Sequence, residues 1–208
     1  TCYVFQLAAN GTLRGSTYLG GPGIIEVGDI KTHGDEIYVL GGNYIDSLED
    51  ITSNAVLRSK PRPDGWSIVL TRLDSACSRA RYMTYVLVDS SSFIGYPEYL
   101  NETWGQFTVN DRGDAIFGLG IMGSLHGIRP AGTDGYRRDG IWVVSIGRNG
   151  DTCIFSRIYD TEFPGFNANN PIEFGIQSIF TSLSGEITLF GRRPIPRNSP
   201  MPPLWTRD

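Results

Sequence analysis

Two kinds of β-hairpin alternate three times along this chain, and that alternation limits its fold more than any other feature. The first kind is an apolar strand, a polar turn and a second strand ending near a tyrosine. It occurs as Cys2–Leu7 with Asn10-Gly11 and Ser16-Thr17-Tyr18, then as Trp66–Leu70 with Asp74-Ser75 and Met83-Thr84-Tyr85. It returns as Trp142–Ile146 with Asn149-Gly150 and Ser156–Tyr159. The second kind joins Ile30–His33 to Ile37–Gly42 through Gly34-Asp35, and Phe107–Asn110 to Ala115–Gly118 through Arg112-Gly113-Asp114. Its third copy joins Ile179–Ser182 to Ile187–Gly191 through Ser184-Gly185-Glu186. Side chains in such strands point alternately to two faces, and each turn of the second kind holds a glycine able to take positive φ. Units of this size bury their apolar faces by stacking on neighbours.

One hairpin of each kind makes a four-stranded antiparallel blade. The expected fold is therefore all-β: a β-propeller or propeller-like array of about three blade equivalents, whole or part of a larger propeller. Three blades closing alone would each turn through about 120°, which crowds the inner strands. The chain starts on one hairpin kind and ends on the other, so its two terminal hairpins are expected to complete one blade between them. Tyr18, Tyr85 and Tyr159 are expected at equivalent places. Residues 1–193 read as the repeat domain and 194–208 as a Pro-rich strap or linker, because Arg192–Pro203 cannot continue a sheet interior. No amphipathic helix is evident; Asp46–Leu57 reads equally as a short helix or a surface loop.

Composition agrees. The 26 glycines, 12 prolines and 12% aromatic residues suit many turns between aromatic and β-branched strands. A net charge of -4 leaves no nucleic-acid footprint, and no run approaches the ~20 apolar residues of a membrane span. The first residue is Thr1, which reads as a processed chain or a fragment from which any signal peptide is already absent.

The stretch Tyr3–Leu7, Asn10-Gly11-Thr12-Leu13 and Ser16-Thr17-Tyr18-Leu19-Gly20-Gly21 resembles the bacterial β-propeller repeat family abbreviated SBBP. The following Gly34-Asp35-Glu36-Ile37-Tyr38-Val39-Leu40-Gly41 resembles the strand pair that completes that repeat. Cys2–Gly42 carries the resemblance closely. Met83-Thr84-Tyr85-Val86 keeps it in part, and Arg157-Ile158-Tyr159 keeps only the tyrosine. The spacing is longer than in that family, so the loops are expanded. Gly41-Gly42 with Tyr44 and Trp66 is more weakly similar to kelch repeats. Either resemblance implies a propeller. The first also implies a secreted or cell-surface location, and neither implies one activity.

Catalytic and metal chemistry find little footing. Cys2, Cys77 and Cys153 permit one disulfide with a thiol left over, lack CxxC spacing, and read as buried free cysteines. His33 and His126 are the only histidines and have no nearby co-ligands for zinc. Gly123-Ser124-Leu125-His126-Gly127 lacks the spacing of a nucleophile elbow, and no phosphate-binding loop occurs. The carboxylates Glu26, Asp29, Asp111, Asp114 and Glu173 are the one catalytic resource, and turn aspartates of this kind mostly cap backbone donors. Asn110–Asp114 is the densest turn for Ca²⁺, with Arg112 opposing it. No catalytic residue, metal or cofactor is therefore assigned.

Binding is better placed in the long loops. Ser90–Gln106 carries Tyr96, Tyr99 and Trp104, suited to stacking on sugars or packing on protein. Gly132–Gly140 presents Tyr136, Arg137 and Arg138, and Trp205 lies near the chain end. The expectation is a non-catalytic extracellular or cell-surface module for adhesion, protein-partner binding or self-assembly. The alternatives are a glycosidase-like propeller enzyme and a lectin-like module that binds a glycan. Asn10 and Asn101 begin sequons usable in a glycosylating host.

Overall fold

The computed structural model describes residues 2–19, 25–43, 55–57, 67–88, 106–121, 126–127, 140–160 and 175–192. Among these there is no helix. In chain order the strands are β1 (Cys2–Leu7), β2 (Leu13–Leu19), β3 (Ile25–His33), β4 (Glu36–Asn43), β5 (Ser67–Leu73), β6 (Ala80–Val88) and β7 (Gln106–Val109). They continue as β8 (Ala115–Ile121), β9 (His126–Gly127), β10 (Gly140–Ile146), β11 (Cys153–Asp160), β12 (Gly175–Thr181) and β13 (Ile187–Arg192).

Two antiparallel meanders dominate. One runs β3-β4-β5-β6, with the two-residue β9 added at its far edge, and the other runs β7-β8-β10-β11. Each is one hairpin of the second kind followed by one of the first, as the sequence predicts. The terminal hairpins differ from expectation: β1-β2 and β12-β13 are separate two-stranded sheets and do not combine into one. Trp66, the predicted start of the second tyrosine hairpin, lies outside the described residues, and β5 is described from Ser67.

The three hairpins of the first kind are built alike in detail. All three share a β-bulge at the same register position, which leaves Arg14, Arg81 and Ile154 as the extra residues, and β5-β6 has a second one at Val86, beyond Tyr85. In the matching turns, Gly11 N–H donates to Ala8, Cys77 N–H to Asp74 and Gly150 N–H to Gly147. All three donors have left-handed backbones, so Cys77 at φ 50° takes the position that glycine fills in the other two. The cost of that conformation is offset by burial of its side chain beneath β1-β2. The predicted turn glycines Gly34, Gly113 and Gly185 also have positive φ.

Counted from the bulge, Tyr18 and Tyr85 are equivalent, pairing with Tyr3 and Val69. Tyr159 is not. It pairs with Ile141 and lies one residue out of register, and Ile158 holds the equivalent place. A one-residue offset moves a strand residue to the opposite face, so the shared residue type misleads about position.

Three apolar clusters bind the sheets into a stack. Val4 and Leu19 of the first hairpin pack on Ile37, Val39, Val69, Leu73, Met83 and Tyr85. The opposite face of that meander presents Tyr38, Leu40, Ile68, Leu70, Tyr82 and Val86 to Phe107, Phe117, Trp142, Val144 and Ile146 of the next. The far face of the second meander packs Ile116 and Val143 on Ile179, with Ile187 and Leu189 beside it. Alternation along each strand thus feeds successive interfaces. Phe107 stacks on Phe117 with centroids 5.7 Å apart, and Trp142 Nε1 donates to Ser156 Oγ at 2.8 Å, so the large rings are buried with the indole donor satisfied. All three cysteines are free; Cys77 is buried, and Cys2 and Cys153 are half-buried. That agrees with the free-cysteine reading.

Candidate functional site

The β3-β4 turn, the end of β5 and the β10-β11 turn meet where the two meanders face each other. They frame a cavity of about 390 Å³ lined by Glu36, Arg72, Arg81, Tyr82, Asn149 and Asp151. Arg72 lies in the strand Ser67–Leu73, every residue of which is buried, and it is itself only 7% exposed. A guanidinium so placed needs compensation for lost hydration. Its Nη2 donates to Glu36 Oε1, and its Nη1 donates to the Arg148 carbonyl at 2.6 Å. The other Glu36 oxygen accepts Arg148 Nη2 at 3.0 Å. One carboxylate therefore joins an arginine of the first meander to an arginine of the second.

Neighbouring contacts extend this clamp. Tyr38 Oη donates to the Gly113 carbonyl at 2.9 Å, and Arg72 sits 5.9 Å from the Tyr38 ring centroid. Asp114 accepts the Arg148 backbone N–H at 3.3 Å. Gly150 turns against the ring of Tyr82, and a Cβ there would collide with ring carbons. At φ 75° the position also disfavours a side chain. Gly150→Ala should therefore destabilise the fold by more than about 1 kcal/mol, against about 1 kcal/mol for Gly11→Ala, where a Cβ meets open space. Denaturant melts of the two variants measure the difference.

Three groups in and beside the cleft, Glu36, Tyr38 and Tyr82, have shifted titration. Burial alone would raise the Glu36 carboxyl, but hydrogen bonds and charge from Arg72, then Arg148, outweigh it and hold the group below its ordinary value. Burial pushes both Tyr38 and Tyr82 above the usual phenol range. Each group is locked in its ordinary neutral-pH charge state. A proton-transfer site wants the reverse, with pKa values near the working pH. Tyr82 Oη and Arg72 Nε are buried with no hydrogen-bond partner among the described residues.

The predicted carboxylates divide. Asp29 pairs with Lys31 at 2.9 Å, and Lys31 lies 5.9 Å from the Phe107 ring centroid. Asp114 is held by Asn110 Nδ2 and by Arg112 Nε at 3.1 Å, so a side chain of this chain occupies the turn read as a Ca²⁺ candidate. Asn110 Oδ1 accepts backbone N–H groups of Arg112 and Asp114, the capping role expected of such turns. Asp111 is exposed, Glu26 lies on β3, and His33 is half-buried. Among the described residues no three His, Cys, Asp or Glu groups converge as metal ligands. Tyr96, Tyr99, Trp104, Tyr136, Arg137, Arg138, Trp205 and Glu173 lie outside the described residues, as do the proposed strap at 194–208 and most of Asp46–Leu57.

A second feature lies at the two ends of the stack. On the outer face of β1-β2, Tyr3, Phe5, Leu7, Leu13 and Tyr18 are all at least half exposed, Tyr18 at 72%. Tyr3 contacts both Phe5 and Tyr18, so these rings form one continuous patch. At the other end Phe180 and Phe190 are each 60% exposed. The sequence reading passed over both the clamp and these patches. Arg72 was the available signal for the clamp, being the one charged residue in the strand Ser67–Leu73.

No known family model matches the chain, and no curated protein sequence matches it.

Proposed function

We propose that the chain is a non-catalytic propeller module, secreted or on a cell surface, that works by packing its end sheets against other protein. The observation that carries this reading is the pair of aromatic outer faces on β1-β2 and β12-β13. They bound a stack in which an apolar cluster joins each sheet to the next. Contiguous apolar surface of this kind marks a protein contact. On this reading the two four-stranded meanders are blades and the two end hairpins are half-blades, about three blade equivalents in all. The resemblance of Tyr3–Gly21 to the surface propeller repeat supports the same architecture and location.

The test is sedimentation of the purified chain beside a Tyr3→Ser/Phe5→Ser/Tyr18→Ser variant. Association should be lost in the variant, with unfolding free energy changed by no more than about 0.5 kcal/mol per site. A variant that keeps full association, or that unfolds because the face packs internally, would remove the basis of the proposal.

A further inference from the structure

We infer that two copies of this chain join head to tail into one ring, with β13 of each pairing along the free edge of β1 of the other. The inference rests on the propeller reading above and deepens it by naming the occupant of the open faces.

The repeat equivalences dictate the pairing. By bulge and turn, β1-β2 corresponds to β5-β6 and β10-β11. The β12-β13 turn repeats the hydrogen bonds of the β7-β8 turn, Gly185 to Ser182 and Ser182 to Glu186 matching Gly113 to Asn110 and Asn110 to Asp114. In the complete sheets these two hairpin kinds pair side by side, Ile37 opposite Leu73 and Ala115 opposite Ile146. Only the terminal hairpins lack that partner among the described residues, so β1 and β13 each leave an edge unpaired. The same register sets Ile187 opposite Leu7, Thr188 opposite Gln6 and Arg192 opposite Cys2.

The exposed apolar residues fall where this pairing needs them. Tyr3 and Tyr18 hold the positions of Val69 and Tyr85, which are buried beneath a neighbouring hairpin. On the first meander, β1-β2 covers Ile37 and Val39, yet Val27 and Ile30 on the same face of β3 remain exposed. The uncovered strip lies beside the free edge of β1, where a hairpin equivalent to β3-β4 belongs. The β12-β13 hairpin has that design and carries Phe180 and Phe190 on the face that would turn toward it.

Blade count selects a second copy over closure within one chain. Self-closure yields a ring of about three blades, and two chains yield about six, within the usual four to eight. In the single chain β12-β13 and β1-β2 belong to different sheets. A head-to-tail contact repeated twice about a two-fold axis closes without further subunits.

A single substitution tests the register, because the opposite position already holds a cysteine. In Arg192→Cys, mild oxidation at pH 8.5 should yield a covalent dimer on a non-reducing gel, and adding Cys2→Ser should abolish it. Directly opposed strand residues lie within disulfide reach. Thr188→Cys with Gln6→Cys, in a Cys2→Ser background, asks the same of a second pair should Arg192→Cys fold poorly. A cross-link confined to one chain overturns the second copy and leaves the propeller reading intact. Dimers that form neither cross-link overturn the inference by showing another contact face. A monomer with no cross-link in either pair overturns the inference and the self-association expected under the proposed function.

Discussion

Phe117→Ala is expected to lower the unfolding free energy by about 3–5 kcal/mol, the range for removing a fully buried aromatic ring. Phe117 is 0% exposed, sits at the centre of the interface between the two meanders, and stacks on Phe107. Neither sheet can close the resulting cavity alone, because Tyr38, Leu40 and Leu70 on one side and Trp142 and Val144 on the other are fixed by their own strand ladders. A domain of this size loses about 2–4 °C of Tm per kcal/mol, so the melt should fall by roughly 6–20 °C. Phe190→Ala is the control. The same chemical change on a ring 60% exposed at the end of the stack should cost a dilute chain no more than about 0.5 kcal/mol. Its effect should appear in assembly instead. Equal losses for the two variants would mean that the meander interface is not the centre of the core.

What the sequence disclosed and what it hid follow from one property of strands. Alternation and turn chemistry are local, so the hairpins, their order and the turn glycines could be read directly; even the grouping into two four-stranded meanders followed from hairpin kind. Register is not local. Tyr159 matches Tyr18 and Tyr85 in residue type yet lies one position off, and nothing in Arg157-Ile158-Tyr159 announces this. Which hairpin covers which face is also a tertiary outcome. Tyr18 and Tyr85 hold equivalent positions, but one is 72% exposed and the other 1%, because β1-β2 covers only the second. The clamp failed to appear for the same reason. Glu36, Arg72 and Arg148 lie far apart along the chain, and only the stacking of two turns brings them together.

Glu36→Gln should cost about 1.5–3 kcal/mol at pH 7, the range for a hydrogen bond to a charged group. The change keeps shape and volume and removes only the charge, leaving Arg72, 7% exposed, opposite a neutral amide. The loss stays below the ~3–5 kcal/mol of a fully buried pair because the Glu36 side chain retains 17% exposure and the Arg148 side chain is 50% exposed. The pH dependence separates this from a packing defect. The folded carboxyl lies below its ordinary value of 4.5, so the unfolded chain takes up the proton first as pH falls. The Glu36 contribution is therefore complete above the unfolded value and disappears as pH drops through the lower folded one. Native chain and variant should differ by a constant amount from pH 7 to about pH 5.5, then converge in more acid solution. Asp74, also held low by hydrogen bonds from Ser78, lends both proteins the same acid sensitivity and cancels in the difference. A gap between the two melting curves that persists unchanged to pH 2 would show that the loss does not come from the Glu36 charge, and that no ion pair holds the meanders together at this end.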